Sequence, residues 1–251
     1  MGIIVKSQQE IAIMRRAGGV VAAILEVLAA KIRPGLVTEE LDAITVSELS
    51  RHGATASFKG YRGFPAHLCV SINDEVVHGI PGKRVIREGD IVSLDLGAIL
   101  GGFHGDAAIT VGVGQIDDKA QALIEATRGA LDAGIAKAVA GAHLGDVSEA
   151  IQSFAESRGF SVVREYVGHG IGRDMHEDPQ IPNYGVSGRG PLLRKGMTLA
   201  LEPMVNTGGW RTRVGDDRWT VSTEDGGLSA HFEHTIAITD GGAEVLTSTS
   251  R

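Results

Sequence analysis

Four carboxylates and one histidine in this sequence sit where divalent-cation chemistry would need them. Asp95 and Asp106 lie on either side of a hairpin that turns at Gly101-Gly102. Hairpin geometry brings them within a residue or so of direct pairing. Like charges facing each other across a ladder are destabilising unless something positive lies between them. Taken alone, the pair also fits two solvated turn aspartates. Glu202-Pro203 ends the apolar run Leu199-Ala200-Leu201, and Phe232-Glu233-His234 opens another strand-like segment. A carboxylate at such a place is costly unless paired or metal-bound. Gly168-His169-Gly170-Ile171-Gly172 holds a histidine in a backbone too bare for an ordinary core, and His176 and Glu177 follow closely.

An oxygen-rich, histidine-poor set suits Mn²⁺, Fe²⁺ or Co²⁺ better than a thiolate zinc site does. Its four negative charges would be balanced by two divalent ions. A two-metal site can clamp a carbonyl oxygen and an amine at once.

The elements that must position these groups read as a mixture of helices and strands. Ser7-Gln8-Gln9-Glu10 is a capping box opening a helix that closes by Pro34-Gly35. Gly18-Gly19 inside it either weakens the helix or lets another backbone approach. The pattern predicts further helices over Thr38–His52, Asp117–Ala140 and Asp146–Arg158, with Gly53 and Gly159 as stops. It predicts strands over Leu68–Asn73, Val76–Ile80, Ile91–Leu96, Ala107–Val113, Ser161–Val163, Thr198–Val205, Arg218–Ser222 and Phe232–Thr239. Two helices followed by strands recur in each half. An offset of 107 carries Gly89 and Asp95 onto Gly196 and Glu202, and an offset of 127 carries Asp106 onto Glu233.

Composition narrows the class. The 251 residues suffice for a sizeable core in one domain spanning 1–251. A net charge of −7 argues against a general nucleic-acid binder, which needs basic surface to replace counterions. The single cysteine, Cys69, excludes an intrachain disulfide and fits a reducing, cytoplasmic setting. The longest apolar run, Val20–Ala30, is interrupted by Glu26 and too short to span a bilayer, and no signal-peptide pattern opens the chain. The 35 glycines, about twice the usual share, must serve turns and close backbone approaches.

The segments Asn73–Pro81, Asp95-Leu96-Gly97 with Phe103–Asp106, Gly168–Gly172 with His176-Glu177, Glu202-Pro203 and Glu233-His234-Thr235 resemble the type I methionine aminopeptidases. The likeness runs from about Lys6 to Thr247, with the motifs in the family's order. It implies an α/β (α+β) pita-bread fold, a pseudo-two-fold curved antiparallel sheet covered by helices. It further implies five ligands, Asp95, Asp106, His169, Glu202 and Glu233, for two divalent ions of the Co, Mn, Fe or Zn kind. The implied reaction is removal of the N-terminal methionine from nascent chains with a small second residue. Glu202 would be the general base, His176 would stabilise the oxyanion and His78 would bind the substrate backbone. Tyr61, Phe64, Cys69, His78, Met175, His176 and Trp219 match substrate-pocket positions. Asn73, Glu75 and Ser229 match positions that can surround a monovalent cation.

Two features depart from the family pattern: Met175 stands where an aromatic is common, and Phe64 where a tyrosine is frequent. The other histidines (His52, His67, His104, His143, His231 and His234) read as structural or surface groups, with His104 and His231 close enough in sequence to support ligands. Ribosome docking is plausible for such an enzyme, and a monomer is the default. Two other readings stand beside the leading one. A proline-specific peptidase of prolidase or aminopeptidase P type would share the five ligands but usually carries an added N-terminal domain. A non-enzymatic pita-bread binding protein would have lost ligands.

Overall fold

A computed structural model describes residues 2–249. Helix α1 spans Gln8–Lys31, α2 Thr38–Arg51, α3 Asp118–Lys137 and α4 Leu144–Glu156. The Ser7 hydroxyl caps α1 and Glu10 reaches back to the Ser7 amide, completing the expected capping box. Asp117 caps α3 through the Ala120 amide at 2.6 Å. Gly53 and Gly159 leave their helix ends with positive φ, where glycine carries no Cβ penalty.

The main sheet has nine strands. Its path runs Thr55–Ala56, Ile91–Leu100, Phe103–Gly112, Glu233–Thr239, Thr198–Leu201, Gly168–Gly170, Glu177–Ile181. Cys69–Ile72 adds to Ile91–Leu100, and Gly242–Val245 to Glu233–Thr239. All pairings in it are antiparallel. The order explains the sequence echo. The pair Ile91–Leu100 with Phe103–Gly112 and the pair Thr198–Leu201 with Glu233–Thr239 meet along the seam between Phe103–Gly112 and Glu233–Thr239. This is the pita-bread arrangement, a curled antiparallel sheet with a pseudo-two-fold seam.

Helices cover one face of the sheet. Leu94, Leu96 and Ala107 share a core with α1 and α2 through Val21, Ile24 and Leu41. Leu199, Leu201, Ile236 and Ile238 share another with α3 and α4 through Leu123, Ile124, Val147 and Ile151. Side chains alternate between faces along a strand, so the residues between these lie on the other face, where Ala200 and Ala237 join a third core with Ile11 and Met14 of α1. Gly18 serves the second purpose foreseen for it: a Cβ there would lie 2.3 Å from the Leu246 carbonyl oxygen, and one on Gly105 would lie 2.7 Å from the Gly18 nitrogen. Backbone meets backbone where α1 crosses the hairpin.

The structure corrects several element readings. Thr198–Val205 is two strands, because Pro203 lacks the N–H a ladder needs. Thr198–Leu201 stays in the main sheet, while Met204–Asn206 pairs with Ser229–His231 and Ser161–Val162 in a small one. Arg218–Ser222 begins too early: Arg218 has φ 66°, and the strand is Val221–Thr223. Val76–Ile80 is Glu75–Val77, ended by His78 at φ 60°. Gly168–Gly170 and Glu177–Ile181 are strands that the sequence pattern hides, since glycine depresses any strand signal. Among the described residues, no helix is long and apolar enough to cross a membrane.

Candidate metal centre

The register of the sheet assembles the five candidate ligands. Asp95 pairs with Ala108, and Ala108 pairs on its other side with Glu233. Asp106 stands opposite Gly97 and is joined to Thr235 from the seam's other side. Its amide donates to Thr235 Oγ1 at 3.0 Å, and that hydroxyl donates to the Asp106 carbonyl at 2.8 Å. Thr235 pairs with Ala200, and Ala200 with His169. Asp95 and Gly97, Asp106 and Ala108, Glu233 and Thr235, and Ala200 and Glu202 are each two residues apart. Period-two alternation therefore turns the candidate ligands to the same face of the sheet. Among the positions between them, Gly97 lets Ser57 and Phe58 come close, since a Cβ there would lie 2.7 Å from Ser57 Cβ and 2.8 Å from Phe58 Cε1. Asp95 and Asp106 are offset by two residues, diagonal rather than directly paired as the hairpin turn suggested.

One donor atom each from Asp106, His169 and Glu233 lies within 4.8 Å of the others, and all three residues are buried. His169 Nε2 is 3.5 Å from Glu202 Oε1. Nδ1 of His169 lies 2.9 Å from the Gly170 carbonyl, which only accepts, so Nδ1 carries the proton. Burial lowers the His169 pKa to about 4, and the ring is neutral near pH 7. Its Nε2 lone pair thus faces a Glu202 oxygen, an arrangement that a cation between them would satisfy.

The remaining electrostatics agree. Asp95 Oδ1, Asp106 Oδ1 and Glu233 Oε1 are buried without a hydrogen-bond partner. Burial pushes Asp95 up to about 7. Burial, followed by the charge of Asp95, pushes Asp106 well above the usual carboxylate range. Glu202 and Glu233 rise for the same two reasons, burial first and neighbouring carboxylates next. Orphaned, mutually repelling oxygens beside a neutral imidazole fit a divalent cation of the carboxylate-and-imidazole class.

A cavity of about 130 Å³ opens onto these groups, and every residue expected in the substrate pocket lines it: Tyr61, Phe64, Cys69, His78, Met175, His176 and Trp219. Its apolar wall is an edge-to-face stack, with Phe64 and Trp219 rings 5.1 Å apart at 77° and Phe58 and Phe64 6.5 Å apart at 87°. Met175, where an aromatic is common in the family the sequence resembles, is 5% exposed, packs in this cluster and lines the cavity. Cys69 pairs in register with Asp95, and burial raises its thiol well above the ordinary value. A thiol held protonated is a wall, not a nucleophile.

The two pocket histidines outside the candidate ligand set, His78 and His176, are fixed differently. His78 holds a left-handed backbone, of order 1–3 kcal/mol in strain for a non-glycine residue. The next residue, Gly79, secures it: its amide donates to Ser71 Oγ at 3.1 Å and its carbonyl accepts from Val70 at 2.9 Å. His176 stacks on Tyr61, centroids 5.4 Å apart at 14°, and lies 4.1 Å from the His169 ring. The Tyr61 hydroxyl is 3.0 Å from His176 Nδ1. Burial, then the nearby His169, lowers the His176 pKa to about 3, so it is a neutral ring.

Other expectations land unevenly. His104 bonds Ser57 Oγ at 2.8 Å, and His231 is buried 3.9 Å from Glu233 Oε2 with both ring nitrogens unpartnered. The side chains of Asn73 and Glu75 are already engaged. Asn73 bonds Asp90 and the Ile91 amide, and Glu75 bonds the Ile72 amide and Arg84. Ser229, the third expected residue, has a buried hydroxyl without a hydrogen-bond partner, and so has its register partner Asn206 at Oδ1. Sequence reading did not single out Arg62, which lines the cavity from a left-handed turn at φ 49°. Its signal lay in the glycines that bracket that turn, Gly60 and Gly63.

Comparisons with known proteins bear on this geometry. Residues 12–240 match the model of metallopeptidase family M24. The chain is 53% identical over 245 residues to a methionine aminopeptidase of Clostridium perfringens, covering 98% of both chains. It is also 53% identical over 245 residues to methionine aminopeptidase 1 of Bacillus subtilis, covering 98% of this chain and 99% of that one. It superposes on the crystal structure of a Thermotoga maritima methionine aminopeptidase with a TM-score of 0.97 at 49% identity, over 98% and 100% of the two chains. A Pyrococcus furiosus prolidase gives a TM-score of 0.79 at 22% identity and is covered over 66% of its length, a likeness of fold alone. With the buried carboxylate–histidine basin, these place the chain in metallopeptidase family M24.

Proposed function

We propose that this chain is a metal-dependent aminopeptidase that removes the N-terminal methionine from polypeptides, preferring a small second residue. One observation carries the reading: a neutral histidine lone pair and four desolvated carboxylates face one basin, and the same cavity continues between Phe64, Met175 and Trp219. The proline-specific alternative shares the basin. It is the less favoured reading, because its representatives are similar to this chain at the level of fold.

Asp95, Asp106, His169, Glu202 and Glu233 would hold the divalent ions, two by charge balance. Bound there, such ions supply Lewis acidity and a water acidic enough for hydrolysis near neutral pH. The protein's own part is proton handling and orientation. Glu202 Oε1, 3.5 Å from His169 Nε2, takes a proton during attack and returns it to the leaving amine. When the Tyr61 O–H, 3.0 Å away, donates to Nδ1, His176 carries its N–H on Nε2 and can give it to the developing oxyanion. His78 hydrogen-bonds the substrate backbone. Phe64, Trp219 and Met175 receive the methionine side chain, whose sulfur favours aromatic edges. Nascent chains are the expected substrates, and one catalytic domain acting as a cytoplasmic monomer, near the ribosome, is the simplest setting. A monovalent cation beside Asn73, Glu75 and Ser229 would rest on backbone oxygens and the Ser229 hydroxyl.

The test is release of methionine from Met-Ala-Ser by protein stripped with chelator and reloaded with Mn²⁺ or Co²⁺. Activity that disappears with the metal and returns with it is expected. Cleavage of Ala-Pro or Gly-Pro peptides in preference to Met-Ala-Ser would overturn the assignment.

A further inference from the structure

Lys6 and Glu177 stand beside the pocket and take no part in the chemistry assigned to it. Their side chains are 3% and 4% exposed and form an ion pair across 171 residues of sequence. Burying two charges is expensive, and such a pair is no evidence of added stability by itself. What the pair does is visible in what surrounds it. The Lys6 amide donates to the Gly196 carbonyl at 2.7 Å, which fixes its backbone just ahead of the strand Thr198–Leu201. On the other side, Glu177 Oε1 accepts the amides of Arg173 at 3.0 Å and Asp174 at 3.4 Å. Gly172 donates to the Asp174 carbonyl at 3.1 Å. A Cβ on Gly172 would lie 2.4 Å from Glu177 Oε1 and 2.5 Å from Lys6 Cε. The turn of residues 172–177 is therefore wrapped around one carboxylate, and that carboxylate is held by a lysine from the chain's beginning. His176 is part of this turn.

We infer that Lys6 and Glu177 are positioning residues, whose ion pair locks the turn 172–177 so that the His176 ring stays between Tyr61 and His169. Tyr61 fixes the ring from the pocket side, and Glu177 fixes the backbone that carries it. The catalytic consequence rests on the methionine-releasing reading, but the locking does not. A displacement of about 1 Å at a group that meets the reacting atoms can lower turnover about a hundredfold, and Lys6 is too far along the chain to be suspected from sequence.

The experiment compares metal-loaded wild type with Lys6→Met, and with Lys6→Met/Glu177→Met, which leaves no unpaired buried charge and so guards against simple unfolding. Two readouts are taken. Amide hydrogen exchange at Arg173 and Asp174 should accelerate at least about tenfold in both variants relative to amides of the main sheet. On Met-Ala-Ser, kcat should fall about ten- to hundredfold with KM nearly unchanged. Adding Lys6→Met to His176→Ala should produce little further loss, because both act through one ring. Unchanged exchange at both amides would overturn the locking. Full kcat in the folded variants, or losses that multiply with His176→Ala, would overturn the positioning role. If wild type releases no methionine, the enzymatic reading fails, while the exchange measurement still decides the locking.

Discussion

Replacing Asp95 by Asn should make the metal-free protein more stable at neutral pH, and less responsive to metal. Asp95 is buried among Asp106, Glu202 and Glu233, and its pKa rises from 3.8 to about 7, burial being the main cause. A raised carboxylate stabilises the folded state only while protonated. That contribution is complete below about pH 4 and is lost as pH rises through 7. Three units at ~1.4 kcal/mol each give a cost on the order of 4 kcal/mol in wild type above pH 7, absent in the amide. Asn keeps the shape, still accepts from the Cys69 thiol, and relieves the repulsion felt by the other three acids. His169 and His231 titrate in the opposite direction, with pKa values lowered to about 4 and about 3 by burial, but both proteins carry them and they cancel in the difference. Urea unfolding with chelator present, at several pH values between 4.5 and 8, reads the difference directly. The two curves should approach each other towards pH 4 and part by a few kcal/mol at pH 8, the variant being the more stable. Saturating Mn²⁺ should reverse the order, since wild type gains more by mass action. Parallel curves in chelator, or a variant less stable than wild type at pH 8, would refute the picture of unshielded, desolvated carboxylates.

Two further outcomes follow from the packing. Gly18→Ala should destabilise by about 2–3 kcal/mol in urea unfolding, because its Cβ would meet the Leu246 carbonyl oxygen at 2.3 Å. Gly19→Ala, with nothing within 4 Å, should stabilise by roughly 1 kcal/mol as a helix-interior replacement. Tyr61→Phe removes the hydroxyl 3.0 Å from His176 Nδ1 while keeping the stack, and should lower kcat about tenfold with little change in KM on Met-Ala-Ser.

The carboxylate half of the site was legible because its signals are local. A Gly-Gly turn, two alternating strands and an aspartate on each side define a hairpin, and Glu202-Pro203 marks a strand end. The register was less so. Whether Asp95 faces Asp106 directly or across a diagonal depends on where in Leu100–Phe103 the chain reverses, a matter of one or two residues. His169 was suspected from its glycines, yet the same glycines hid that it lies in a strand. Gly168 and Gly170 press against the Ala200 and Asp178 carbonyl oxygens at 2.4 and 2.1 Å from where a Cβ would be, a tertiary constraint with no periodic trace. The left-handed backbone of His78 and the pairing of Lys6 with Glu177 are of this kind too. Both are consequences of segments meeting after the sheet has formed.

The seam that joins Phe103–Gly112 to Glu233–Thr239 links residues about 130 positions apart, as the Asp106–Thr235 bond shows. Pairings of such separation are slow to form, because a long loop must close before any contact rewards it. Asp95 and Asp106 come from one side of that seam, and His169, Glu202 and Glu233 from the other. The five candidate ligands therefore come together only once Glu233–Thr239 has docked against Phe103–Gly112. A chain cut after α4 keeps Asp95 and Asp106 and lacks His169, Glu202 and Glu233, three of the five candidate ligands.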